Sequence, residues 1–283
     1  IACEMTCLKT IISIDSTPGL VSMDHLLNTY QSYYPSAKVT EISQTIHPSD
    51  LFSINYTSGT TGRPKGVMLS HQNLISNFSA LSFILKQQPA KRAVSVLPLS
   101  HISELILNST YQNCGTAIWY IDGFDKLREE LAEAQPEIFC AVPRIMEKLF
   151  DAIMAKGREL KGVRKFLFFR ALSIGQMYEP YNSFSLIYQL QLLAIRKLVF
   201  SKWHEALGGK LVSIVSGGAS LNPRIARILW AAGFKIMEGY GLTETSPVIA
   251  VSNFLHGGVK IGTVGPVLPG VEIKFADDGE ILV

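Results

Sequence analysis

Tyr56-Thr-Ser-Gly-Thr-Thr-Gly-Arg-Pro-Lys-Gly66 packs three glycines, four side-chain hydroxyls besides the tyrosine, one arginine and one lysine into eleven residues. Glycine lets the backbone approach a ligand closely, so such a loop can turn amides, hydroxyls and cations toward one anion. A polyphosphate is the anion this composition suits. The apolar run Leu51-Phe-Ser-Ile-Asn-Tyr56 predicts a buried strand entering the loop. Beyond it, Ser70 is placed to cap a helix through Asn73, Leu74, Ile75 and Phe78. Clusters of Gly, Ser and Thr are commonly plain surface turns. The entering strand and the two basic side chains argue against that here.

Two familiar nucleotide loops fail on spacing. The P-loop needs Gly, four residues, then Gly-Lys-Ser/Thr. Here Gly59 and Gly62 are three apart, and Lys65 is followed by Gly66-Val67. The dinucleotide fingerprint fails as well, because Gly239-Tyr-Gly241 runs into Glu244 where a third glycine belongs. A GTPase or a dehydrogenase is disfavoured.

Apolar residues make up 47% of the 283 and charged residues only 17%, which excludes a disordered chain and suits either much parallel sheet or surfaces that something else normally covers. A net charge of +3, scattered along the chain, gives no footprint for nucleic acid. Cys3, Cys7, Cys114 and Cys140 show no metal spacing and are read as reduced thiols, which suits the cytoplasm. Strands are predicted at Ala93–Leu97, Thr116–Ile121, Glu137–Val142, Lys210–Val215 and Phe234–Glu238. Helices are predicted at Ile102–Asn113, Phe124–Glu133, Arg144–Lys156 and Pro223–Ala231. That alternation implies parallel βαβ units. Toward the start, a helix is expected over Met23–Tyr33, and residues 34–50 read as polar and irregular. Past Gly262 the pattern changes to short strands with Pro-Gly and Asp-Gly turns, as in a small antiparallel subdomain. Residues 1–50 are therefore read as the end of a preceding subdomain with a linker, 51–260 as a nucleotide-binding core, and 261–283 as the start of a β-rich subdomain.

Residues 166–200 are unusually apolar, with Phe166-Leu-Phe-Phe169 and Phe184–Ile195 flanked by Arg196 and Lys197. The run is shorter than the ~18–20 residues a membrane span needs. Ile187, Leu190, Ala194 and Lys197 fall at helical spacing, a long core helix is favoured over a membrane-surface helix as the commoner case, and peripheral membrane contact stays open beside it.

Further strings follow the glycine-rich loop in order: Leu97-Pro-Leu-Ser-His101, Val215-Ser-Gly-Gly-Ala219, Gly239-Tyr-Gly-Leu-Thr-Glu-Thr-Ser-Pro247, Gly262-Thr-Val-Gly265 with Leu268-Pro-Gly270, and Asp278-Gly-Glu-Ile-Leu-Val283. Together with the loop they resemble the signatures of the acyl-adenylate-forming superfamily, over roughly residue 50 to the end. The resemblance implies an α/β large-domain fold, with parallel-rich sheets and flanking helices in stacked subdomains. It also implies a reaction in which a carboxylate attacks the α-phosphate of ATP and pyrophosphate leaves. Such a reaction needs preorganised donors and a divalent cation more than a general base.

By this resemblance Thr57, Ser58, Thr60 and Thr61, with the amides of Gly59 and Gly62, hold the β- and γ-phosphates, and Lys65 adds charge. Thr243 meets the α-phosphate and Glu244 ligates Mg²⁺, which prefers carboxylate oxygen. Gly217, Gly218 and Ala219 leave room beside the adenine. Tyr240 covers one face of it, with Glu238, Gly239 and Gly241 in the same nucleotide-binding set. His101 sits at a strand end between the acyl and nucleotide sites.

Val142-Pro-Arg-Ile-Met-Glu-Lys-Leu149 and an apolar insertion at about 157–205 resemble long-chain fatty acyl-CoA synthetases, with CoA as cosubstrate. Alternatives are a fatty acyl-AMP ligase that loads a carrier protein, and a catalytically silent acyl- or nucleotide-binding relative. The sequence does not set the oligomeric state. The family's ribose-binding Asp, hinge Arg and C-terminal catalytic Lys find no match before Val283. The chain is therefore read as the middle of a longer protein, expected to bind nucleotide weakly and not to complete a thioester.

Overall fold

The computed structural model describes residues 12–13, 18, 21–30, 36–57, 63–121, 123–254 and 257–283, and contacts divide the chain into two units, Ile1–Asp50 and Leu51–Val283. In the first unit, strand β1 (Ile12–Ser13) pairs in parallel with β2 (Val21–Ser22), followed by helices α1 (Met23–Tyr30) and α2 (Ser36–Thr45). The stretch read as irregular thus contains a helix. Its periodic apolar residues Val39 and Ile42 are exposed, so no buried stripe announced it.

In the second unit, β3 (Leu51–Thr57) and β4 (Lys65–Ser70) form an antiparallel hairpin around the glycine-rich loop. The expected burial of the entering strand is wrong. Leu51, Phe52, Ile54 and Tyr56 are exposed, while Ser53, Asn55 and Thr57 are half-buried. The hairpin is a separate two-stranded sheet and turns its polar side inward, so the apolar run does not mark a core strand. Helix α3 (His71–Leu85) begins where Ser70 was expected to cap it. Ser70 Oγ accepts from the Asn73 amide at 3.2 Å, and the Ser70 amide donates to Asn73 Oδ1 at 2.9 Å.

The chain then alternates through β5 (Arg92–Ser95), α4 (Ile102–Asn113), β6 (Ala117–Tyr120), α5 (Leu127–Ala134) and β7 (Ile138–Ala141). Next come α6 (Pro143–Glu159), α7 (Gly162–Gly175), α8 (Leu186–Ile195) and α9 (Ser201–Ala206), then β8 (Ser213–Ser216), α10 (Pro223–Ala232), β9 (Lys235–Gly241) and β10 (Val248–Val251). Six strands make one sheet in the order β10-β9-β8-β7-β5-β6, parallel except for β10 at the edge. This is the parallel βαβ arrangement the sequence pattern implied.

The side-chain period of two builds the layers. Ala93, Ile138, Val215 and Met237 face one side and pack with Leu85 and Tyr111 of α3 and α4. Their neighbours Val94, Phe139, Ile214 and Ile236 face the other side, against the larger core supplied by α5 to α10. Phe139 is fully buried, and burial of a side chain that size contributes about 1.5–3 kcal/mol. Helix α10 is bounded as its sequence demands. Asn222 Oδ1 accepts from the Arg224 amide at 2.9 Å, Pro223 opens the first turn, and Gly233 closes the helix at φ +103°.

The segment 166–200 is not one long core helix. It is divided among α7, α8 and a π turn at Arg196–Phe200, and much of its apolar surface is exposed. No helix among the described residues is long and apolar enough to cross a membrane. Near the end, β11 (Lys274–Phe275) and β12 (Ile281–Leu282) form a short antiparallel pair across the Asp278-Gly279 turn. Cys140 is buried and Cys114 half-buried, both as free thiols, while Cys3 and Cys7 lie outside the described residues.

Candidate functional site

In open α/β sheets, ligands sit beyond the carboxyl ends of the strands, where the crossovers diverge. This chain has a cavity of about 660 Å³ there. Its walls come from the segments that leave β5 (Leu97, His101), β7 (Val142), β8 (Gly217, Gly218) and β9 (Gly241 to Glu244), and from Thr57 and Lys65 of the hairpin. Volumes of roughly 300–1,000 Å³ suit small-molecule sites.

Of the residues singled out in the sequence, the structure brings Thr57, Lys65, His101, Gly217, Gly218, Gly239, Tyr240, Gly241, Thr243 and Glu244 together on this cavity. Ser58, Gly59, Thr60, Thr61 and Gly62 lie outside the described residues. Two expected residues stand apart from it. Ala219 is exposed and does not line the cavity. Glu238 is buried and braces the neighbouring loop, its Oε2 accepting from the Leu221 amide at 3.3 Å. Burial raises its pKa, while the backbone amides of Leu221 and Gly262 oppose the shift. The Glu238 side chain is turned to the Leu221 amide, away from the cavity that Gly239, Tyr240 and Gly241 line.

Three contacts hold the walls. Asn55 Nδ2 donates to the Ser100 carbonyl at 3.1 Å, tying the hairpin to the loop that carries His101. Asn77 Nδ2 of α3 donates to the Val248 carbonyl at 2.8 Å, fixing β10 beside β9. The 3₁₀ turn Thr243–Thr245 is pinned by Thr245, whose Oγ1 accepts from the Leu242 amide at 3.0 Å and lies 2.8 Å from the Pro247 carbonyl. Gly218 turns at φ +83°, a left-handed conformation that favours glycine.

The electrostatic character is that of a site with unspent charge. Among the described residues, Glu244 is the one carboxylate and Lys65 the one lysine or arginine lining the cavity. Neither they nor the ring of His101 has a hydrogen-bond or ion-pair partner there. The N-terminal end of α4 (His101, Ile102 and Ser103) also lines the cavity, and its dipole favours negative charge. No group of three or more His, Cys, Asp or Glu among the described residues could hold a metal alone.

Sequence reading missed a buried polar cluster between α4 and the sheet. Glu104, on α4, is 1% exposed and accepts from Ser95 Oγ–H and from Asn108 Nδ2 at 3.3 Å. Its Oε2, the Asn108 Oδ1, the Tyr111 hydroxyl and the Ser216 hydroxyl are buried without partners among the described residues. Burial raises the Glu104 pKa, with the hydrogen bonds from Ser95, Asn108 and the Val96 backbone opposing it. Burial, and secondarily the Glu104 charge, pushes the Cys140 thiol up too. Only the turn periodicity of α4 could have hinted at the cluster, by placing Glu104, Asn108 and Tyr111 on one face.

A carboxyl whose folded pKa lies above the unfolded value of about 4.3 holds its proton more tightly when folded. Stability then falls as pH rises from that value through the raised one, and the full penalty is present above the raised value. Glu104→Gln removes the penalty. Its melting temperature should exceed that of the native chain at pH 7 and converge with it in acid. A gap that does not change with pH would contradict this origin.

The fold and cavity define an open-sheet α/β protein whose described residues form a largely apolar cleft at the strand ends that carries one lysine and one carboxylate. The family model described as AMP-binding enzyme matches residues 4–282, and the chain belongs to that family. It is 35% identical to the peroxisomal long chain acyl-CoA synthetase 6 of Arabidopsis thaliana, over 97% of this chain and 38% of that protein. It is 30% identical to the long-chain-fatty-acid–CoA ligase FadD15 of Mycobacterium tuberculosis, over 98% of this chain and 46% of that one. The chain thus spans less than half the length of these relatives.

The fold is shared with the N-terminal domain of FACL13 from Mycobacterium tuberculosis, at a TM-score of 0.60, 20% identity and 93% coverage of this chain against 54% of the other. It is also shared with an ATP-bound MatB from Rhodopseudomonas palustris, at 0.54, 26% identity and 84% against 38% coverage.

Proposed function

We propose that this chain forms the adenylating site of a long-chain fatty acid–CoA ligase. The observation that carries the reading is the convergence of Lys65, His101, Thr243 and Glu244 on one cavity, with Lys65 and Glu244 unpaired among the described residues. In the reaction, a carboxylate oxygen of the fatty acid bonds to the α-phosphorus of ATP. The bond from that phosphorus to the bridging oxygen breaks, and pyrophosphate leaves with the electron pair. In the full-length protein the CoA thiolate then attacks the acyl carbonyl, and AMP leaves.

Thr57, Lys65 and the loop between them hold the β- and γ-phosphates. Gly217, Gly218 and Tyr240 flank the adenine, and Thr243 reaches the α-phosphate. A single carboxylate fits Mg²⁺, which is commonly held by one or two carboxylates plus phosphate oxygens and water. Glu244 would hold it, and the bound cation would supply charge neutralisation on the phosphates. His101, on the loop after β5, lies between the nucleotide side and the acyl side.

The acyl side is a narrow crevice of about 50 Å³ between α3, α4 and the sheet, lined by Ile84, Leu85 and Met237 among others. It shares Leu81, Leu107, Val215 and Val251 with the main cavity. The crevice has room for only the first few carbons of an acyl chain, each buried methylene contributing about 0.8 kcal/mol, so a long chain must extend beyond it.

Pyrophosphate release by the full-length protein tests the reading. Release should be strong with palmitate and weak with acetate or an aryl acid, and thioester should form with free CoA. Release that ignores chain length would defeat the long-chain assignment. Thioester formed only on a carrier protein would defeat the CoA assignment.

A further inference from the structure

A buried carboxyl carries a desolvation cost that an apolar residue would avoid, and the position of Glu104 shows what the carboxyl supplies in return. Ser95 ends β5, and Glu104 lies in the first turn of α4. Both are buried, and Ser95 Oγ–H donates to Glu104 Oε1. Asn108, one turn further along α4, donates from Nδ2 to Glu104 Oε1 at 3.3 Å and to Ser95 Oγ at 3.2 Å. Three buried side chains thus close the loop between residues 95 and 104. Its outer part, from Pro98 to His101, is exposed.

The His101 ring has no hydrogen-bond partner among the described residues, so its place on the cavity depends on the backbone beneath it. The His101 amide donates to the Pro98 carbonyl at 3.0 Å, and its carbonyl accepts from the Glu104 amide at 3.1 Å. His101 is therefore less than one helical turn from Glu104, and any slide or rotation of α4 against β5 would carry the imidazole with it. Ile102 and Ile106 pack α4 into an apolar cluster with Leu74 and Leu81 of α3. Apolar contact is non-directional and tolerates small slides, whereas a hydrogen bond between buried groups demands one geometry.

We propose that Glu104 is a positioning residue, which with Ser95 and Asn108 fixes the register of α4 against β5 and so holds His101 toward the reacting carboxylate. This role rests on the adenylating reading of the cavity and acts through His101, because Glu104 itself does not line the cavity.

A double-mutant cycle in the full-length protein tests it, reading acid-dependent pyrophosphate release. Glu104→Leu and Ser95→Ala should each lower kcat at least about tenfold, since a small misplacement of a reacting group is enough for that loss. The KM for ATP should stay within about twofold, because the phosphate-holding groups are untouched. Glu104→Gln keeps an acceptor for Ser95 and should retain kcat within about threefold of native. In a His101→Ala background, Glu104→Leu and Ser95→Ala should each cost less than about twofold, because the group they place is gone. Ser95→Ala removes only a hydroxyl and carries the test if Glu104→Leu does not fold. Losses that multiply with that of His101→Ala would overturn the positioning role and leave His101 in the site. Native kcat in Ser95→Ala would overturn it as well. Native release by His101→Ala would instead remove His101 from the adenylating site, and the role of Glu104 would fall with it.

Discussion

Glu244→Gln should slow acid-dependent pyrophosphate release by the full-length protein at least about hundredfold while leaving its fold intact. The side chain is exposed in the cavity and makes no contact that holds the fold, and its 3₁₀ turn is braced by Thr245. Glutamine keeps the shape and removes the charge. The loss should therefore fall on kcat and on the divalent-cation dependence, with the melting temperature unchanged. Because Glu244 is the one carboxylate lining the cavity among the described residues, no neighbour there can substitute for it. Retention of rate within about fivefold would remove Glu244 from the catalytic site.

Gly241→Ala should destabilise the chain by at least about 3 kcal/mol and abolish nucleotide binding with it. A Cβ at Gly241 would sit 1.8 Å from the Pro247 carbonyl oxygen and 2.9 Å from the Val248 Cα. Both are backbone atoms of the segment that pairs β10 with β9, and Asn77 holds that segment from the other side. The obstruction cannot rotate away as a side chain could. Gly217→Ala is the matched control, since its Cβ would meet only the Gly239 carbonyl at 3.5 Å, an ordinary contact. That variant should melt like the native chain and lose ATP affinity alone, if the ring of the nucleotide lies against it. Equal melting temperatures for Gly241→Ala and the native chain in a denaturation series would refute the steric argument.

Much of the sheet was legible because its strands are short, fully apolar runs between helix and turn signals. Ile138-Phe-Cys-Ala141 is buried on both faces and reads as such in one dimension. The hairpin was misread by the same logic. Leu51-Phe-Ser-Ile-Asn-Tyr56 looks like a core strand, yet it turns Ser53, Asn55 and Thr57 inward. Composition cannot say which side of a strand meets the protein. Helix α8 shows the opposite limit, since leucines on every side fit a core helix or a docked one equally well. Glu104 carried no signal beyond sharing a helix face with Asn108 and Tyr111, because a carboxyl in an amphipathic helix ordinarily faces water.

The sequence by itself determined the local pieces, namely which loops must be glycine, which residues cap helices, and which strands could be buried. Those follow from backbone sterics and from spacing over a few residues. Only the tertiary structure decided that Thr57, Lys65, His101, Gly217 and Glu244 share one cavity, and that Glu238 and Ala219 stand outside it. Strand order across a sheet is fixed by packing between residues far apart in the chain. Glu238 turns to the Leu221 amide while Gly239, Tyr240 and Gly241 line the cavity, and that division is visible only once the loops at the strand ends are packed.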